Sequence, residues 1–187
     1  MMAEGSRIAS AILTPLALVA CSGGGYRPVS DFPVTIGRPY SVRGVTYTPA
    51  AAPDYDAIGV AGWYGNESGN RTANGEKFRV KAIAGAHTTL PLPSYVEVTS
   101  LETGRTILVR INDRGPFARG RIVDLSRGAA DLLGIRAAGT AVVRVRRVEP
   151  AERDRARLRD GKTAAPRPDA TPTDLDALRY RWQTLPR

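Results

Sequence analysis

The sequence predicts a mainly β protein built around a small closed barrel, and three observations carry that prediction. Five short stretches between residues 57 and 148 alternate or run apolar as strands do, and only one stretch among them has the signature of a helix. The chain holds a single cysteine, so no disulfide framework can staple it. Residues 55–149 are dense enough for one core, and closure of the sheet with apolar burial must then supply stability.

The strand candidates are "AIGVAGWY" (57–64), "SYVEVTSL" (94–101), "RTILVRIN" (105–112), "RIVDL" (121–125) and "TAVVRVRRV" (140–148). "LETGR" between two of them reads as a hairpin turn, with Gly104 available for positive φ. "SRGAADLLG" (126–134) is the helix: Ser126 can cap it, Ala130 and Leu133 line one face, and Gly134 ends it.

The ends read differently. Residues 8–20, "IASAILTPLALVA", form an apolar run of 13 that suits a signal-peptide core and is too short to cross a bilayer. Leu18-Val19-Ala20-Cys21 resembles a bacterial lipobox, so residues 1–20 are expected to be a lipoprotein signal peptide and Cys21 the lipidation site. Residues 21–54 read as a mostly disordered tether, although "VTIGRPYSVRGVTYTP" (34–49) can add an edge strand. Residues 150–187 read as a charged, Pro-rich tail with a short helix over 173–182. Thr173 is its candidate cap, and Leu175, Leu178 and Trp182 are spaced for one docking face.

The formal net charge is +9, and only Lys77, Lys81 and Lys162 are lysines among the basic residues. Such a surface favours anionic partners. A secreted lipoprotein rarely meets nucleic acid, so none is expected as a partner. With one histidine and one cysteine, no metal cluster fits the usual ligand rules, and no cofactor is expected.

Chemistry must then come from carboxylates. Glu76, in "GNRTANGEKF" (69–78), reads by itself as a solvated loop acid, and His87, in "GAHTTLPLP", as a hydrogen-bonded structural group. In "VRINDRGPFARGRIVDL" (109–125), Asp113 reads as a turn residue and Asp124 as a buried acid bonded to helix amides or to an arginine. Paired carboxylates otherwise belong to glycosidic bond cleavage, in which a buried acid protonates the departing oxygen.

Taken together, "GVAGWYG" (59–65), "RTANGEKF" (71–78), "AHTTLPLPSYVEVT" (86–99), "GRTILVRINDRGPF" (104–117), "RIVDLSRGAADLLGI" (121–135) and "GTAVVRVRRV" (139–148) resemble the RlpA (rare lipoprotein A) family of lytic transglycosylases. The resemblance implies a six-stranded double-psi β barrel with one or two short helices, flanked by disordered tails. It implies an endolytic enzyme that cleaves MurNAc–GlcNAc bonds of peptidoglycan and leaves 1,6-anhydroMurNAc ends. The essential acids carry over onto Glu76 and Asp113, with His87 and Asp124 facing the same cleft. Arg114, Asn112 and Arg71 are candidate sugar-binding donors.

The expected setting is the cell envelope, periplasm-facing and lipid-anchored through Cys21, with the outer membrane favoured by Ser22. Peptidoglycan strands and the membrane are the expected partners, with cell-division or envelope proteins beside them. The chain departs from the family pattern at "ESGN" (67–70), Arg79 and Thr88, which bears on substrate preference and rate. Its C-terminal segment is too short for the SPOR domain of larger members, so targeting by that route is not expected. The competing class is a non-catalytic peptidoglycan-binding lipoprotein, and the disposition of Glu76 and Asp113 about one groove separates the two.

Overall fold

The computed structural model describes residues 25–65 and 69–186. The expected signal peptide of 1–20, the expected lipidation site Cys21 and the Glu67-Ser68 part of the departure at 67–70 lie outside the described residues. In chain order the elements are β1 (Tyr40–Val42), β2 (Val45–Tyr47), β3 (Asp56–Tyr64), β4 (Ala84–Ala86), β5 (Ser94–Ser100) and β6 (Thr106–Asp113). They continue with β7 (Arg121–Ser126), α1 (Arg127–Leu133), β8 (Ala141–Val148), α2 (Glu152–Arg159) and α3 (Pro172–Thr184).

Strands β3 to β8 close into a barrel in the order β3-β7-β4-β6-β5-β8. The pairs β3–β7 and β4–β6 are parallel and the other four are antiparallel. The barrel is filled by side chains from five of its six strands, among them Ala61, Val96, Val98, Val109, Ile111, Val123, Leu125, Val143 and Val145. Strand β6 is buried from Ile107 to Asn112, because α1 and α2 pack over its outer face. That is why "TILVRIN" reads as a continuous run instead of an alternation.

All five strand candidates coincide with strands to within one residue at either end. The sixth, β4, is Ala84-Gly85-Ala86 and has no β-branched or aromatic side chain to announce it. Helix α1 forms as its ends dictate. The Ser126 hydroxyl accepts the Ala129 amide, and Gly134 closes the helix in the left-handed region at φ 86°.

The flanks depart from the expectation of disordered tails, and three helices stand where one or two were expected. Residues 25–54 lie along the barrel: the Arg27 amide donates to the Gly75 carbonyl, the Thr35 amide to the Leu92 carbonyl, and β1–β2 form a hairpin. Helix α3 is capped by Thr171 with Pro172 at its first turn, not by Thr173. Its expected face is real: Leu178 packs with Ile58 and Leu101, joined by Leu175 and Trp182. Helix α2 has almost no apolar face beyond buried Leu158 and is held by ions instead. Arg159 pairs with Asp31, which also receives Arg110 Nε at 3.3 Å and the Tyr95 hydroxyl at 2.7 Å. Arg79, one of the departures noted in the sequence, donates to the Arg159 and Asp160 carbonyls at the C-terminus of α2. A cation is favoured there by the helix dipole.

Candidate active site

Four adjacent strands line up one row of residues. Asp113 of β6 is the register partner of Ala86 of β4, Ala86 is also the partner of Asp124 of β7, and Asp124 is the partner of Gly62 of β3. A register shift between Gly85 and Ala86 leaves Asn112 out of the β4–β6 pairing and brings Asp113 opposite Ala86. Such a bulge re-aims a side chain at the end of a strand. The two acids therefore flank the smallest of side chains, and a groove of about 580 Å³ opens above it. Asp113, Asp124, Tyr64, Trp63, Phe117 and the arginines Arg43, Arg71, Arg114 and Arg121 line this groove.

Asp113 is held by one oxygen. Its Oδ1 accepts the Ala73 amide at 2.7 Å and the Arg114 amide at 2.8 Å. Burial raises its pKa above the ordinary 3.8, against the lowering effect of those two amides and of the Arg114 charge. With Oδ1 occupied as an acceptor, Oδ2 is the oxygen left to carry a proton.

Asp124 is 8% exposed, and burial likewise raises its pKa, opposed by the charge of Arg121. Arg121 Nη2 donates to Asp124 Oδ2 at 3.1 Å. Gly62 makes this possible: a Cβ there would meet Arg121 Nη1 at 2.6 Å and Asp124 Oδ1 at 2.7 Å. Tyr64, two residues along β3, is 8% exposed. Burial and the nearby charges of Asp113 and Asp124 hold its hydroxyl protonated, well above the usual phenol range.

Glu76 does not share the groove with Asp113, contrary to the expectation of an acid pair facing one cleft. It is 1% exposed and its carboxylate is saturated. Arg110 donates Nη1 to Oε2 at 2.7 Å and Nη2 to Oε1 at 2.9 Å, a two-pronged pair. Asn112 Nδ2 donates to Oε2 at 2.9 Å, and Asn74 Nδ2 to Oε1 at 3.0 Å. Burial works to raise the Glu76 pKa, but the Arg110 bond and charge and the Asn112 bond outweigh it, and the net direction is down. Glu76 is thus an ionised strut inside the turn of residues 72–76, and that turn carries the Ala73 amide to Asp113.

The remaining candidates divide. His87 is 2% exposed and lies outside the groove; its Nδ1 accepts the Thr89 amide at 3.1 Å and the Leu90 amide at 3.0 Å. Burial and Arg114 push its pKa down to about 4, so the imidazole is neutral and structural. The Arg114 guanidinium is spent on backbone carbonyls of His87, Leu90 and Ile36. Asn112 serves Glu76, while Arg71 reaches the groove wall. Sequence reasoning missed Tyr64 and Arg121, whose roles depend on register, and Arg43, carried in by the β1–β2 hairpin. It also missed Arg110, whose charge inside a buried apolar run was the available signal.

A closed six-stranded barrel with two parallel pairs and a carboxyl-bearing groove is a double-psi β barrel. Residues 56–145 match the family described as lytic transglycolase. The endolytic peptidoglycan transglycosylase RlpA of Pseudomonas aeruginosa (strain UCBPP-PA14) is 48% identical over 117 residues, which are 62% of this chain and 34% of that protein. The protein of the same name from Campylobacter jejuni is 43% identical over 130 residues, 64% of this chain and 47% of that one. The chain thus spans between a third and a half of the length of these relatives. A Clavibacter michiganensis expansin solved with cellohexaose is 21% identical and covers 52% of each chain at a TM-score of 0.42. Over residues 56–145 the chain carries a double-psi β-barrel domain of the RlpA family.

Proposed function

We propose that the barrel is an endolytic lytic transglycosylase that cleaves MurNAc–GlcNAc bonds within peptidoglycan glycan strands and leaves 1,6-anhydroMurNAc ends. The observation that carries this reading is Asp113: a carboxyl on a groove of about 580 Å³, with its pKa raised by burial and one oxygen pinned by two amides.

The reaction then runs on one carboxyl. Protonated Asp113 gives its Oδ2 proton to the glycosidic oxygen as the bond to C1 breaks. The resulting carboxylate takes the proton of the MurNAc C6 hydroxyl as that oxygen bonds to C1. No water is consumed, and the acid is returned protonated. Asp124 is the second groove acid. Glu76 is a positioning residue that sets the turn holding Asp113, which accounts for an essential acid outside the groove. On this reading the chain is anchored to the cell envelope through lipid on Cys21, facing the periplasm from the outer membrane.

Digestion of peptide-free glycan strands by the purified chain, read by mass spectrometry, tests the reading. Anhydro-ended fragments from the native chain and none from Asp113→Asn are the expected result. Intact strands that nevertheless bind would make the protein a glycan-binding module. Release of a Cys21→Ala chain from the membrane fraction is the expected result for the anchor, and its retention there overturns that part.

A further inference from the structure

Five buried side-chain polar atoms have no hydrogen-bond partner among the described residues, and three of them, Tyr64 Oη, Arg121 Nε and Asp124 Oδ1, belong to groove residues. A buried donor or acceptor left unpaired is costly, so a cluster of three in one place points to a group that completes them. We propose that Tyr64, Arg121 and Asp124 form a subsite for the acetamido group of an N-acetylated sugar bound beside Asp113. The proposal rests on the glycan-cleaving reading and specifies what that groove recognises.

The chemistry of the three atoms selects the group. Asp124 Oδ1 is left as an acceptor, Arg121 Nε–H only donates, and the Tyr64 hydroxyl, locked in its protonated form, donates. An amide presents one donor and one acceptor on a rigid plane. Its N–H serves Asp124, and its carbonyl oxygen, with two lone pairs, serves both Arg121 and Tyr64. The Nη2–Oδ2 bond between Arg121 and Asp124 already ties these side chains together, keeping a donor and an acceptor next to each other. The methyl of the group has an apolar rest on Ala86 and Trp63, which a bare hydroxyl would leave uncovered. Arg121, whose side chain is 28% exposed, is the member that can shift outward to admit the group while its Nη2 stays on Asp124.

The subsite is tested by binding, with Asp113→Asn as the background so that no strand is cut. Peptide-free glycan strands are presented native, chemically de-N-acetylated, and de-N-acetylated then re-acetylated. De-N-acetylation is expected to weaken binding about tenfold, the worth of one or two lost hydrogen bonds, and re-acetylation to restore it. Adding Tyr64→Phe, which keeps the ring stacked on Phe78 at 5.2 Å, leaves every charge in place. It is expected to shrink the preference by the share of the Tyr64 bond, and Asp124→Asn, in separate protein, to shrink it as well. Thermal melts confirm that both variants are folded. Equal binding of native and de-N-acetylated strands, or a preference unchanged in both variants, overturns the subsite while leaving the function standing. Failure to bind or cut any strand overturns the glycan reading and the subsite with it.

Discussion

Asp113 and Asp124 are the two register partners of a single residue, Ala86, one on each side of β4. Two strand spacings separate their Cα atoms by roughly 10 Å, so the side chains converge over one small residue at a span suited to a glycan. Glu76 holds Asp113 from behind, through the turn of residues 72–76, and contributes no groove surface.

Asp113→Asn is expected to lower cleavage by about a hundredfold or more, the usual worth of a general acid. It is also expected to raise stability. The folded state binds the Asp113 proton more tightly than the unfolded chain, because burial raises its pKa above 3.8. Stability is therefore lost as pH rises from 3.8 through the raised value, and the asparagine chain escapes that loss. Thermal melts at pH 7 should favour the variant, and the two should converge below pH 3.8. A variant that melts lower at pH 7 refutes the assignment.

Glu76→Gln has the opposite signature. Its folded pKa lies below 4.5, so its contribution is present above that value and lost as pH falls through the folded one. Leaving Arg110 short of its main partner in a buried site costs about 3 kcal/mol. Urea unfolding at pH 7 should report that loss, and the gap should narrow in acid. Because Glu76 acts on Asp113 through the Ala73 amide, the variant should also move the alkaline limb of the pH–rate profile, where Asp113 loses its proton. A lost rate with an unmoved limb and full stability would return Glu76 to direct chemistry.

The strands of the barrel were legible because their burial is written as apolar runs, and α1 because its caps are Ser126 and Gly134. The site was legible only in part. Asp113 stands out as an acid at a strand end and Asp124 as one inside an apolar run, but that Ala86 lies between them depends on β4, three residues with no strand character, and on a bulge at Asn112. The error over Glu76 has a similar origin. Its partners Arg110 and Asn112 lie 34 and 36 residues away, and only closure of the barrel brings them together. The flanks were legible only in part: Leu175, Leu178 and Trp182 announce the docked face of α3, but ion pairs such as Arg159–Asp31, 128 residues apart, leave no periodic trace.

Helix α2 depends on this ionic docking. Arg79→Glu replaces the cation at its C-terminal carbonyls with a charge of the wrong sign for the helix dipole. Amide exchange across residues 152–159 is expected to speed up at least about tenfold, while β3 and β8 stay protected. Unchanged protection would mean that Leu158 and Arg159 hold the helix by themselves.

His87 gives the last expected outcome, a histidine that does not respond to mild acid. With its pKa lowered to about 4, the imidazole takes no proton between pH 8 and 5, and its ring C–H signals should stay flat across that range in NMR titration. The unfolded chain binds the proton at 6.5, ahead of the folded one, so this residue costs stability progressively as pH falls from 6.5 to about 4, reaching about 3 kcal/mol. His87→Asn keeps an acceptor for the Thr89 and Leu90 amides and carries no titrating group. Its stability relative to the native chain should therefore improve as pH drops through that window, with cleavage at pH 7 largely kept. If the asparagine chain instead loses cleavage while folded, or the native imidazole titrates near 6.5, His87 takes part in proton transfer and the single-carboxyl scheme fails.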